Sequence, residues 1–161
     1  MYLDLKNNTD YTKLIEPAKI IKNGGLVIFP TETVYGVGAN GLDKNAIKKI
    51  YEAKQRPLNK PISLLVSNID MIENVAKDIT NIEYSIIEKF FPGPLTIILK
   101  KKETIPDILT AGSDTIGIRM PANDIALNLI NYAGVPLATP SANLSGKPSG
   151  TNLKDIIKDF D

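Results

Sequence analysis

The side chains best equipped for chemistry fall in four short polar segments, each beside an apolar run. Pro30-Thr31-Glu32-Thr33-Val34-Tyr35-Gly36 follows the apolar Leu26–Phe29. Lys54-Gln55-Arg56-Pro57-Leu58-Asn59-Lys60-Pro61 places three cations within seven residues, with no acid between Ala53 and Ser67. Pro57 and Pro61 bias Arg56 and Lys60 towards extended backbone and lower the entropy lost when the segment orders around an anion. In Asp114–Pro121, Thr115, Gly117 and Arg119 alternate with apolar residues, so a strand presents all three on one face, with room over the glycine for a ligand. Thr139–Thr151 surrounds Leu144 with small and polar residues, among them Thr139, Ser141, Asn143 and Ser149. Such a loop offers N–H and O–H donors to a phosphate or ribose. Singly, each segment also fits a solvated turn, a helix end or an edge strand. Together they describe one anion site lined by hydroxyls and cations. That site suits chemistry done by positioning and charge stabilisation, as in phosphoryl or nucleotidyl transfer.

Composition narrows the chemistry further. The 161 residues contain no cysteine and no histidine, which excludes disulfides, thiolate metal sites and the commonest general base. Net charge is +1, from 19 basic and 18 acidic residues, too balanced for a protein that holds nucleic acid by bulk electrostatics. Arg56 and Arg119 are the only arginines beside seventeen lysines, so the planar fork that binds phosphate or carboxylate occurs twice. No apolar run approaches a membrane span, and Met1–Asp10 is too polar for a signal peptide, so a soluble cytoplasmic domain is expected, with no membrane partner. Gly36-Val37-Gly38-Ala39-Asn40-Gly41 spells a dinucleotide-binding fingerprint, but Pro30–Tyr35 displaces it from the strand-to-helix turn that the fingerprint needs. Ser141–Pro148 lacks both the first glycine and the Ser/Thr of a phosphate-binding P-loop.

These segments need a scaffold. Helices are expected at Ile15–Lys22, from an Asp43 cap through Ala53, and at Asp70–Ala76, Asn81–Phe90, Asp124–Ala133 and Leu153–Phe160. Strands are expected at Leu26–Phe29, Ile62–Val66, Leu95–Leu99, Thr115–Met120 and Pro136–Thr139, with Lys100–Lys102 leaving the sheet for solvent. The alternation specifies an α/β domain over residues 1–161, with polar loops gathered at strand ends.

The segment Leu26–Gly38, the Lys54/Arg56 and Ser141/Asn143 pairs, Phe91-Pro92-Gly93-Pro94-Leu95-Thr96 and Gly117-Ile118-Arg119 together resemble the YrdC-like threonylcarbamoyl-AMP synthases. The resemblance runs from about Gly24 to Gly150. It implies an open twisted mixed sheet flanked by helices. It also implies an enzyme joining L-threonine, bicarbonate and ATP into threonylcarbamoyl-AMP and pyrophosphate, with Mg2+ accompanying the triphosphate. Downstream tRNA-modifying proteins would then transfer the threonylcarbamoyl group to adenosine. By matching positions, Thr33, Arg119 and Thr139 would hold threonine, and Arg56, Lys60, Thr115, Ser141 and Ser149 the nucleotide, with Lys54 and Asn143 closing the same pocket. Lys54, Arg56 and Arg119 would act on the reacting anions; no residue is assigned to a resident metal. The substrate carbamate is itself the nucleophile, so no protein nucleophile is required. An apolar Leu65 stands where some members carry histidine. Members also continue beyond the position of Asp161 into further strands with another Ser and Arg, so the domain is expected to lack those strands. The alternative is an RNA-binding module of the same fold without catalysis, which six cations against Glu52 across Lys44–Lys60 keep open although the balanced total charge and the two arginines favour the enzyme.

Overall fold

A computed structural model of the chain describes residues 1–160; Asp161, the end of the expected domain, lies outside them. Among the described residues seven strands form one sheet: β1 (Val27–Pro30), β2 (Tyr35–Asn40), β3 (Leu64–Leu65), β4 (Ala76–Lys77), β5 (Ile97–Lys101), β6 (Thr115–Arg119) and β7 (Leu137–Ala138). Their order is β1-β2-β7-β3-β6-β5-β4. Only the β3–β6 pair is parallel. The helices are α1 (Ile15–Lys22), α2 (Lys44–Lys54), α3 (Ile69–Val75), α4 (Asn81–Phe90), α5 (Asp107–Thr110), α6 (Asp124–Ala133) and α7 (Leu153–Phe160), with a 3-10 turn at Tyr11–Leu14. This is the α/β mixed sheet flanked by helices that the sequence specifies.

The two sides of the sheet are covered unequally. Helices α2 to α5 pack on one side through Ala46, Ile47, Ile50, Ile72, Ile87 and Leu109, against Leu64, Leu99, Ile116 and Ile118 of the sheet. On the other side α1 and α6 bring Ala18, Ile21, Ala126, Leu129 and Ile130 against Phe29, Leu65 and Leu137 only. The alternation of β6 therefore buries Ile116 and Ile118 and leaves Thr115, Gly117 and Arg119 on the thinly covered side. Ile98, paired with Gly117, remains 60% exposed there.

Caps explain the bounds of α4 and α6, which match expectation. Thr80 and Glu83 form a capping box at α4, and the Asn123 side chain accepts from Ala126 N at the start of α6, which Gly134 ends at φ 67°. The strands differ more. β1 continues through Pro30, which pairs with Tyr35, and Tyr35–Asn40 is a strand absent from those expected. Its glycines serve close packing: a Cβ at Gly36 would stand 2.5 Å from Thr139 Cγ2, and one at Gly38 would stand 2.6 Å from Phe29 Cε1. The ladder of β5 runs to Lys101, not Leu99. Lys101 is buried, its ammonium bonded to Asp107 at 2.5 Å and to the Ile105 carbonyl at 3.2 Å, so it does not enter solvent.

A cation and hydroxyl site on the open sheet face

The thinly covered face carries a row of small and hydroxyl side chains. Leu64 pairs with both Ile118 and Ala138, which sets the preceding residue, Ser63, between Gly117 and Thr139. Thr139 N donates to Ser63 O at 3.0 Å. A Cβ on Gly117 would meet Ser63 Oγ at 2.8 Å and Thr96 Cγ2 at 3.2 Å, so the space over the glycine is lined by those two groups. Pro61, Ser63, Ser113, Thr115, Gly117 and Ile98 line a cavity of about 120 Å3. Within it Ser113 Oγ and Thr115 Oγ1 are 2.9 Å apart.

Arg119 ends this row. Its Nε donates to Gly93 O at 3.2 Å, and its Nη2 donates to Thr33 Oγ1 at 3.2 Å and to Glu32 Oε1. Gly93 N donates to Met120 O at 2.8 Å, so the Pro92–Pro94 turn and the end of β6 hold each other. Thr31 Oγ1 donates to Val34 O at 2.7 Å. The same hydroxyl oxygen accepts from Thr33 N at 3.2 Å and Val34 N at 3.3 Å and lies 3.1 Å from Thr33 Oγ1. Thr33 Oγ1 thus accepts from Arg119 and has a second lone pair that can accept an N–H or O–H.

The second cationic group lies at the end of α2, where Gln55 turns the chain at φ 50°. Lys54 is 1% exposed, and its ammonium donates to the carbonyls of Ser141 and Asn143. Burial, then the neighbouring Arg56 charge, lowers its pKa from 10.5 to about 8, against an opposing pull from Asp159. Ser145 N donates back to Lys54 O at 3.0 Å. The Asn143 side chain is spent within the loop: its amide donates to Leu144 O and Lys147 O at 2.9 Å each, and its oxygen accepts from Ser141 Oγ at 2.5 Å. Asp159 of α7 pins the same loop through Lys147 Nζ at 2.6 Å and Leu144 N at 3.3 Å; the bond from Lys147 holds its carboxyl below the usual range. Arg56 curls over its own loop, donating to Lys60 O at 3.2 Å and Pro61 O at 2.8 Å. Beneath it the Tyr51 hydroxyl lies within reach of Lys60 O at 2.9 Å and Ile108 O at 3.0 Å, its pKa raised by burial.

The sequence-selected residues therefore divide by role. Thr33 and Arg119 touch; Thr139 and Thr115 flank the row through Ser63 and Gly117; Ser141 lies where the loop bridges to Gly36. Lys54 and Asn143 shape the loop from inside, whereas Lys60 and Ser149 are exposed. The cations of Lys44–Lys60 do not make one solvated stripe, because Lys54 is buried, Lys49 donates to Gly24 O at 2.6 Å and Lys48 pairs with Glu52 at 3.6 Å. A larger cleft of about 480 Å3 lies at the β4–β5 edge, but its lysines are already paired: Lys77 with Glu103, Lys100 with Asp78 and Lys101 with Asp107. Sequence reasoning missed Ser63 and the tie between Glu32 and Arg119. Ser63 is one hydroxyl before an apolar run, and the Glu32 partner lies 87 positions away, so neither leaves a local signal.

Two cationic groups therefore stand on this face: Arg119 with Thr33, and Arg56 at the end of α2, where Lys54 holds the Ser141 loop. Residues 19–161 match the family model of Sua5, YciO and YrdC, described as telomere recombination. The threonylcarbamoyl-AMP synthase of Pyrococcus abyssi is 44% identical over 158 residues, covering 98% of this chain and 46% of the relative. That of Bacillus subtilis is 41% identical, covering 96% and 45%. The crystal structure of P. abyssi Sua5 complexed with L-threonine superposes with a TM-score of 0.91 at 46% identity, over 94% of this chain and 44% of that one. The chain thus spans about half the length of these relatives. Among the described residues no helix is long and apolar enough to cross a membrane. The match covers the β1–β2 hairpin, the α2 end, β6 and the loop after β7 that together build the site, and on this ground the chain belongs to the Sua5/YciO/YrdC family.

Proposed function

We propose that the chain makes threonylcarbamoyl-AMP from L-threonine, bicarbonate and ATP, with release of pyrophosphate, as the first step of threonylcarbamoyl modification of adenosine in tRNA. The observation that carries this is the pairing of Arg119 with Thr33 beside the loop that Lys54 holds: a guanidinium and a hydroxyl acceptor share the sheet face with a loop of hydroxyl and N–H groups. Arg119 takes the amino-acid carboxylate, Thr33 accepts a donor from threonine, and Thr139 lines the same pocket. The threonine amine, having lost a proton, condenses with bicarbonate to a carbamate and water. A carbamate oxygen then attacks the α-phosphorus, the bond to the β-phosphate oxygen breaks, and pyrophosphate departs with its electron pair. Mg2+ enters with the triphosphate as part of the substrate.

The protein's task is to hold two repelling anions in line in a partly dry site. Arg56 and Lys60 face the phosphates, Thr115 and Ser141 hold the nucleoside, and Ser149 closes the loop over it. Lys54 and Asn143 fix the loop rather than meet the ligand. The similarity to relatives named threonylcarbamoyl-AMP synthase supports this reading, as does the threonine complex of a relative. Calorimetric titration tests it: L-threonine and ATP each bind, and threonine affinity does not fall steeply with salt. A chain that binds tRNA with strong salt dependence and ignores threonine is instead an RNA-binding module.

A further inference from the structure

Glu32 is the acid of the Pro30–Gly36 segment, and the roles given above leave it without one. Its carboxylate is divided between two partners: Oε1 accepts from Arg119 Nη2 and Oε2 accepts from Ala122 N at 2.5 Å. Both charged side chains are largely shielded, 16% exposed for Arg119 and 20% for Glu32. Ala122 immediately precedes Asn123, the cap of α6. One carboxylate therefore ties the β1–β2 turn to the end of β6 and the start of α6. With Nε committed to Gly93 O, the guanidinium is held at two of its three nitrogens, and Nη1 is the one without a protein partner among the described residues.

We propose that Glu32 is a positioning residue, fixing the Arg119 guanidinium so that Nη1 is the edge presented to the amino-acid carboxylate. This rests on the threonine reading above. Charge-assisted bonds are directional, and a reacting anion must be held to within a fraction of an ångström. Without Glu32 the guanidinium keeps only two neutral partners, Gly93 O and the Thr33 hydroxyl, each at 3.2 Å, and loses the charge-assisted bond that fixes its orientation most strongly. Electrostatics alone has the opposite sign: removing an anion beside Arg119 strengthens its pull on a carboxylate. The direction of the change in threonine affinity decides between the two.

The full chain and its Glu32→Gln and Glu32→Asp variants are compared by threonine and ATP calorimetry and by 15N NMR of the arginine side chains. Two arginines give two Nε–H signals, so Arg119 is read directly, with Arg56 as the internal control. Positioning requires that Glu32→Gln weaken threonine binding tenfold or more, leave ATP binding within twofold, and mobilise the Arg119 signal alone. Glu32→Asp keeps the charge but is too short to reach both partners, so it shows the same loss, and it decides alone if the glutamine variant fails to fold. Threonine binding that is unchanged or tighter, an Arg119 signal as rigid as in the wild type, or an equal loss of ATP binding overturns the proposal. If the wild-type chain binds no threonine, the proposed function fails and the substrate part of this inference with it, while the Arg119 signal still decides whether Glu32 holds the guanidinium.

Discussion

Replacing Lys54 with methionine isolates what a buried ammonium does in this site. Methionine keeps the apolar stem of a residue only 1% exposed and removes the donor to the Ser141 and Asn143 carbonyls. Two stranded carbonyls cost about 1–3 kcal/mol each. Against this, a pKa lowered from 10.5 to about 8 means that folding disfavours the ammonium by about 3 kcal/mol, a cost the substitution removes. The opposing contributions largely cancel, so Lys54→Met is expected to change global stability by less than about 3 kcal/mol. The loop does not share in that cancellation, since its two anchoring bonds are simply lost. Urea denaturation gives the global effect, and hydrogen exchange of the Ser145 amide, which donates to Lys54 O, reports loop docking. The expected result is near-native stability with strongly accelerated exchange at Ser145 and weakened ATP binding. A stability loss above about 5 kcal/mol, or unchanged exchange, refutes the assignment of Lys54 as the loop's internal anchor.

The same lysine sets a pH dependence. Between pH 8 and 10.5 the unfolded chain holds a proton that the folded chain has released, so wild-type stability rises relative to Lys54→Met across that window, by up to about 3 kcal/mol, and is flat below it; denaturation at stepped pH measures the gap. Arg56→Lys keeps the charge but cannot bridge the Lys60 and Pro61 carbonyls, so ATP affinity falls about tenfold, or about 1.4 kcal/mol, with threonine affinity intact, as calorimetry would show. Gly36→Ala drives a methyl to within 2.5 Å of Thr139 Cγ2; a loss of about 1–3 kcal/mol in thermal melts and weaker threonine binding are expected, and an unchanged melt would show that the β2–β7 contact yields freely.

How much of this was legible in the sequence depends on how local the cause is. The bounds of α4 and α6 match expectation residue for residue, because helix period and caps are written within a few positions. β2 was not legible: Gly36-Val37-Gly38-Ala39 has the composition of a loop, and only pairing with β1 and β7 makes it a strand. β4 and α5 are two and four residues long, too short for any period to show. In the site, the alternation of Thr115, Gly117 and Arg119 placed them on one face correctly, since strand geometry demands it. Whether a cation meets ligand or protein was not legible. Lys54 and Lys60 look alike in a basic segment, yet one is buried under the Ser141 loop and the other is exposed.

In the proposed reaction two substrate anions meet on this sheet face. Pyrophosphate release from ATP tests it most directly, measured with L-threonine and bicarbonate together and with each omitted. Release that requires both is expected. Release that is indifferent to threonine contradicts it, as does the absence of release from a chain shown to bind both threonine and ATP.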